Sequence, residues 1–473
     1  MSLQEFLLLA SRTAILLLES SIFGTLALSA LAGRVVGRRM VRTMLACLLI
    51  LFPLWLAAQS AQMSDTHSFA ALPSAVMLVL QASWVGHLAL VRIAAWTLVG
   101  LILRVGGRGG WSRHWAMLPA GLALALHAGA GHAAATGDTL LFLAVLAHVL
   151  AAASWIGGLS ALWLALDGPN PSLLVARYTW FGLICVIVVV ATAVAQALEL
   201  TGGIVGLVGT AYGHVILVKI ALLACLLVLA CRHRFSLAPR LPRSLPVLRR
   251  SVLLESVIGL AVLVAASLLS TLPPGAHDQP TWPFAYRLSF ELLDDLELRA
   301  EMLNALRALG GAALLLLLAV LSRRVRWFAV ATALAITWFA IPHFDLLLAP
   351  TEPTYYWQST TGYTPQSIAS GKAAYIEHCA ACHGPNGAGD GALGVGLPVP
   401  PADLTAPHLW NHPDGELYWW ITHGVIGPDG KLAMAGFGTT LDDDTVWALI
   451  DFLHANNPNK PDDLTLGAPH HHH

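Results

Sequence analysis

Two thiols and an imidazole stand at Cys379-Ala380-Ala381-Cys382-His383, in a polar stretch of a chain that has only six cysteines. This is the spacing at which both thiols can add to the vinyl groups of one haem while the following histidine ligates the iron. The pattern predicts one covalently attached haem c. Gly384, Gly387, Gly389 and Gly391 come next, and glycine permits the backbone angles of a loop wrapped closely round a cofactor edge. The other cysteines, Cys47, Cys185, Cys225 and Cys231, lie in or at the ends of apolar runs, where a thiol behaves as a small hydrophobe.

A second constellation consists of ionisable residues inside apolar runs: Arg12, Glu19, His87, Arg92, His127, His132, His148, Lys219 and Glu255, with His214 at a boundary. Such groups are costly in lipid, so each is a candidate for function. Imidazoles between helices can ligate a metal ion or a b-type haem. His87, His127, His132, His148 and His214 are the candidate copper or haem b ligands. His127 and His132 are about 140° apart on an ideal helix, so they share a ligand only if Gly129 and Gly131 loosen it. Arg12 and Glu19 fall on one helix face, two turns apart, and each is expected to pair with another helix. Lys219 and Glu255 are expected to pair with each other. Gly157-Gly158 with Ser154 and Ser160 forms a small-residue face suited to close helix contact. Met63, Asp65 and His67 make a further candidate metal site in an outer loop.

The elements that must position these groups follow from composition. Hydrophobic residues make up 56% of the 473-residue chain and charged residues 11%, far below the charge content of soluble proteins. About ten runs are long enough to cross a bilayer: approximately 7–32, 44–61, 84–104, 114–134, 141–166, 178–200, 213–232, 251–272, 304–322 and 327–349. Arginine clusters follow the first, third, seventh and ninth runs and Arg177 the fifth, whereas the loops 62–73, 135–140 and 201–212 hold no lysine or arginine. The positive-inside rule then places the clusters in the cytoplasm and both termini in the periplasm. The bundle histidines consequently fall in the outer half of the membrane. The first run is too long for a signal-peptide core, and no small-residue cleavage site follows it. No nucleic-acid partner is expected; the bilayer is the principal one.

Composition divides the chain into a transmembrane unit of eight helices (1–272), a periplasmic amphipathic segment with two further spans (273–349), a linker (350–364) and a soluble domain (365–460). The acidic run Glu291, Asp294, Asp295, Glu297 predicts a helix lying on the membrane surface. His470 to His473 read as the visible part of a purification tag. Within the soluble domain, helices are expected over Pro365–Cys379, Leu417–His423 and Leu441–His454, the last begun by Asp442 and Asp443. The fold class is therefore all-α, a polytopic helical bundle followed by a small all-α haem domain. Residues 365–455 resemble class I c-type cytochromes. That resemblance implies a methionine as second axial ligand, and Met434 matches it, followed by Ala435 where the family more often has proline. His378, His408, His412, His423 and His454 are expected to be solvated or structural.

The membrane region resembles the copper resistance protein D (CopD) family over roughly 75–290. His148 through Leu162 is similar to its histidine–Trp-Ile-Gly-Gly segment, and Gly131-His132-Ala133 to its Gly-His-Ala element. Tyr212-Gly213 with Lys219, Arg250-Ser251 with Glu255, and Trp282-Pro283-Phe284 with Arg287-Leu288-Ser289 look like its later elements. The resemblance implies copper transport or resistance at the inner membrane, with a periplasmic copper carrier and a periplasmic or membrane redox partner as expected associates. Two departures stand beside it. The chain has eight methionines and no paired arrangement in any span, although thioethers suit cuprous ion, and a fused cytochrome is not general in the family. The alternative is a transmembrane oxidoreductase whose histidines hold b-type haem and exchange electrons between a quinol or small reductant and the c-haem.

Overall fold

The computed structural model describes residues 3–66, 68–106, 111–131, 137–290, 294–322 and 324–459, and the chain divides into two units, Met1–Asp278 and Gln279–His473. The first unit contains α1 (Leu3–Ala32), α2 (Arg38–Met63), α3 (Leu72–Ala82), α4 (Trp84–Val105), α5 (Trp111–Ala125), α6 (Thr139–Ile156), α7 (Leu159–Ala165), α8 (Pro171–Leu200), α9 (Gly203–Gly209), α10 (Ala211–Arg232) and α11 (Leu245–Leu269). The second contains α12 (Leu296–Leu321), α13 (Arg326–Ala340), and four helices of the soluble domain: α14 (Pro365–His378), α15 (Ala380–His383), α16 (Asp414–His423) and α17 (Asp443–Asn456).

The chain is all-α and multi-pass, as its hydropathy implies. Among the described residues eight helices are long and apolar enough to cross a membrane, against about ten expected. The fourth expected span is the 15-residue α5, carrying Pro119 within it, and at 1.5 Å per residue it covers about 22 Å, short of the hydrocarbon thickness. The tenth is the 15-residue α13, which passes into a 3-10 segment at Ile341–Leu347. The acidic run does not form a separate surface helix among the described residues. Asp295 accepts hydrogen bonds from the amides of Glu297 (2.8 Å) and Leu298 (3.2 Å) and so caps α12, which continues unbroken as the ninth span.

Helix α1 is the innermost element of the first unit. It packs against α2, α5, α6, α7, α8 and α11, and from Glu19 to Ser29 it is buried all round. One side joins an apolar cluster with α2, α4 and α5, including Leu48, Phe52, Trp96 and Leu124. The other joins a cluster with α7, α8, α10 and α11, including Leu159, Leu166, Leu226 and Leu248. The approach to α6 and α7 is backbone to backbone: a Cβ on Gly24 would overlap Gly157 and Gly158, and one on Gly157 would overlap the Ser20 carbonyl. Lipid offers no hydrophobic driving force between helices, so this close van der Waals contact is the adhesive.

In the second unit, β1 (Tyr286–Leu288) pairs antiparallel with β2 (Leu348–Pro350), Tyr286 opposite Pro350. Residues 350–364, read from sequence as a linker, make definite contacts: Trp282 lies edge-on to Tyr356 at 5.3 Å, and Thr354 donates to the Gly415 carbonyl at 2.6 Å. The soluble domain is organised by the crossing of α14 and α17, where a Cβ on Gly371 would overlap the Ala448 carbonyl. Thr364 and Ser367 form a capping box at the start of α14. Asp442 caps α17 by accepting from the Thr445 amide at 2.9 Å. The buried Asp451 accepts from Thr361 (2.6 Å) and Ser367 (2.5 Å), which ties both segments to α17. Tyr375, Tyr418, Trp447 and Ile450 fill the core between them.

Gly24→Leu is expected to destabilise the membrane unit by about 1–3 kcal/mol or more, the usual cost of overpacking, seen as a lower unfolding midpoint in detergent. An unchanged midpoint would show that α1 does not approach α6 and α7 this closely.

Candidate functional site

The Cys-x-x-Cys-His segment sits where α14 ends. Cys379 is its C-cap, and α15 turns the chain so that Cys379, Cys382 and His383 are all half-buried. Gly384 follows with φ +81°, a left-handed conformation that L side chains rarely adopt. The loop then folds back on this segment: the amides of Gly389, Gly391 and Leu393 donate to the carbonyls of His383 (2.8 Å), Cys382 (3.1 Å) and Ala381 (2.9 Å). Tyr375 donates its hydroxyl to the Gly384 carbonyl at 2.7 Å. Burial, with Cys382 alongside, pushes the Cys379 thiol up to about 11.

The imidazole of His383 is pinned. Its Nδ1 lies 3.0 Å from the Ala402 carbonyl, which holds the proton on that nitrogen and leaves Nε2 as a lone pair. A metal-ligating histidine is commonly oriented in this way by a backbone carbonyl. Met434 lies in the short ribbon of β3 (Gly424–Ile426) and β4 (Leu432–Ala435), opposite Val425. Phe437, three residues on, has its ring 6.2 Å from His378 at the end of α14. A Cβ on Gly427 of the hairpin turn would meet Val399 of the glycine-rich loop. Leu393, Val395 and Leu397 of that loop, and Ile426 and Leu432 of the ribbon, are exposed apolar side chains. Two thiols, a pinned imidazole, a thioether and an apolar rim suit a covalently bound porphyrin, and the residues fit that group. Cys379, Cys382, His383 and Met434 would hold it, and the haem would supply one-electron redox chemistry.

In the membrane unit the predicted histidines are dispersed. His127 is in an ionic cluster: its Nε2 lies 2.6 Å from Glu19 Oε2 and 2.8 Å from Arg92 Nη2. Glu19 is fully buried; it accepts from Arg92 on both oxygens at 2.9 Å and from Trp96 Nε1 at 2.7 Å. The Arg92 guanidinium also lies over Phe52 (5.1 Å) and Trp55 (5.6 Å), contacts that favour a desolvated cation. His148 Nδ1 is 3.0 Å from the Thr192 hydroxyl of α8, His214 bonds locally to the Val208 carbonyl at 2.7 Å, and His87 is exposed on α4. His132 lies outside the described residues, as does His67 of the outer-loop candidate. Among the described residues no set of three His, Cys, Asp or Glu side chains converges on a metal position.

Arg12 donates to Gln59 at 2.6 Å, so Arg12 and Glu19 both find partners on other helices, as expected. The expected Lys219–Glu255 pair does not form. Glu255 Oε1 instead faces His233 Nδ1 at 3.2 Å, because α10 ends in a π-turn over His233–Leu237 that returns this ring to α11. His233 lies one residue beyond the expected seventh span (213–232) and was not among the candidate residues. The Glu19–Arg92–His127 cluster was also missed as a unit. Its one signal was Trp96, a turn after Arg92 and able to donate from the same helix face.

Comparison with known proteins matches this two-part architecture. Residues 3–141 match the family model described as "Copper resistance protein D-like, N-terminal domain", 172–269 match "Copper resistance protein D", and 366–453 match "Cytochrome C oxidase, cbb3-type, subunit III". The chain is thus a multi-pass membrane protein that joins a CopD-type region to a cbb3-type cytochrome c domain, which implies covalent haem c. It is 36% identical over 137 residues to "Inner membrane protein YebZ" of Escherichia coli (strain K12), covering 27% of this chain and 47% of that protein. It is 31% identical over 158 residues to "Copper transport protein CutJ" of Bacillus subtilis (strain 168), covering 32% and 29%. It is 36% identical over 84 residues to "Cbb3-type cytochrome c oxidase subunit CcoP" of Azospirillum brasilense, covering 18% and 26%. The chain spans about half or less of the length of each of these relatives. No solved structure matches.

Glu19→Gln leaves the Arg92 cation buried without its counter-charge and is expected to cost about 3–5 kcal/mol, measured as a fall in the unfolding midpoint. Glu19→Gln combined with Arg92→Gln should cost less than the two single changes summed; strict additivity would mean the pair is not coupled.

Proposed function

We propose that this is an inner-membrane protein for copper transport or resistance, with both termini in the periplasm and a haem c that carries electrons for the oxidation state of copper. The observation that carries the electron-transfer part is the pinned imidazole of His383 beside two thiols, with Met434 on the neighbouring ribbon. His/Met ligation raises the potential and suits an electron carrier rather than oxygen activation. The copper part is supported by the likeness of residues 3–141 and 172–269 to copper resistance protein D and by the relative named as a copper transport protein. His87, His132, His148 and His214 are the imidazoles we assign to copper, while His127 holds Glu19. A periplasmic copper carrier and a periplasmic or membrane redox protein are the partners this role requires. No observation favours b-type haem: His127, one of its expected ligands, is taken up by Glu19 and Arg92.

The purified protein is expected to show one covalent haem per chain, a c-type band in its reduced-minus-oxidised spectrum and no b-type band. Cys379→Ser with Cys382→Ser should abolish the covalent haem, and Met434→His should keep it at a lower potential. His148→Ala should lower bound copper at unchanged haem. A colourless chain of unmodified mass would end the redox reading, and unaltered copper content in His148→Ala would end that residue's assignment.

A further inference from the structure

The cytochrome domain carries a second set of imidazoles that the haem does not use. His408 lies in the 3-10 turn Pro407–Asn411 and His412 directly after it. Their ring centroids are 6.3 Å apart and the rings nearly perpendicular, at 88°, the outer limit at which two rings bound through roughly 2 Å metal–nitrogen bonds can share one ion, from opposite sides of it. The Nδ1 of His412 is 2.9 Å from Glu416 Oε2, one turn into α16. The carboxylate takes that proton and leaves Nε2 as the ligating lone pair, the relation that orients and strengthens a histidine ligand.

The backbone bearing both rings is fixed from within. Leu409 is 3% exposed, and Trp410 stacks on the fully buried His454 at 4.5 Å. Trp420 packs edge-on against His412 at 4.7 Å. A rigid carrier of this kind keeps two ligands at one spacing. The surroundings are anionic. Asp403 is held below the usual carboxylate range, chiefly by the Thr405 hydroxyl and amide and in smaller part by His408. Glu352 lies near Glu416 and adds a second carboxyl group on that side. From residue 373 to 430 the chain has no lysine or arginine, so no side-chain cation from this segment competes for the patch.

We propose that His408 and His412 form a copper(II) site on the cytochrome domain, with Glu416 as the positioning carboxylate behind His412 and water completing the coordination. The proposal deepens the copper reading above and rests on it. Imidazole nitrogen suits cupric ion, which also binds nitrogen and oxygen donors more tightly than the other first-row divalent ions.

The test uses the full-length, haem-loaded protein in detergent with His470 to His473 removed, and copper(II) ion as the probe. Affinity is read by competition and coordination by electron paramagnetic resonance. One copper(II) with a two-nitrogen signal is expected beyond any copper held by the membrane imidazoles, and this signal should persist in His148→Ala. His408→Ala with His412→Ala should lose that signal and weaken binding at least 30-fold, while Glu416→Gln weakens it about 10–100-fold. His423→Ala, which removes an exposed ring stacked on Trp419, should change neither. An unchanged haem spectrum in each variant shows that the domain is folded. Unaltered affinity and signal in the His408/His412 double variant would overturn the proposal. Cellular copper content with and without the chain reads the copper role separately. A chain that alters cellular copper while the double variant binds copper(II) like the wild type overturns this site alone.

Discussion

A carboxylate held in hydrocarbon is the constraint from which the membrane unit follows. Glu19 is fully buried on the innermost helix, and an isolated charge there would cost far more than a domain's whole stability. It is tolerable only if a cation and further donors meet it at hydrogen-bond distance. Arg92 and Trp96 from α4, and His127 just after α5, do so, and Phe52 and Trp55 of α2 then cover the guanidinium. The register of α1, α2, α4 and α5 is therefore specified by one ionic cluster. Such a cluster adds little net stability over an apolar core, because desolvation offsets its attraction. Its consequence is specificity, since any shift of one helix leaves a charge unmatched.

The opposite side of α1 is specified differently. Near its middle Gly24 meets Gly157 and Gly158 so closely that a methyl group would collide, and at its end the Leu31 carbonyl accepts from Arg177 of α8 at 2.9 Å. Electrostatic matching on one side and steric matching on the other leave α1 little freedom to rotate or slide. At the far end of α10 a second polar pair, His233 and Glu255, depends on the π-turn that brings the ring round to α11. Half-buried Lys219 forms no ion pair among the described residues, which separates it from the helix-locking charges.

The parts legible in the sequence were those whose physics is local. Cys-x-x-Cys-His is a covalent requirement, and capping by Asp442 and the existence of the cytochrome-domain helices follow from neighbouring residues, although α16 begins at Asp414 rather than Leu417 and α17 runs to Asn456 rather than His454. Hydropathy reported which helices are apolar, but not that α5 and α13 stop after 15 residues. Pairings between helices were harder. Arg12 and Glu19 were visibly in need of partners, yet nothing in one sequence says that Arg92, 73 positions away from Glu19, is the one that arrives. The Lys219–Glu255 expectation failed because a π-turn, whose five-residue hydrogen bonding has no simple sequence signature, brought a nearer base. His408 and His412 read as ordinary surface histidines until Trp410 and Glu416 showed one ring oriented and the segment between them anchored.

Donor chemistry links the two halves of the chain more firmly than any motif does. Cuprous ion prefers sulfur and cupric ion prefers imidazole and oxygen. Of six cysteines, two belong to the haem segment and the others lie in or beside membrane helices; of eight methionines, Met434 belongs to the cytochrome ribbon, and Met40 and Met44, four apart on α2, pack into different apolar clusters. Imidazole and carboxylate are what this chain has left to offer, so under the proposed role copper would be held better in its oxidised state. A protein built that way would gain from a one-electron carrier of raised potential on the same polypeptide, because the carrier's redox state then bears on which ligands the metal accepts.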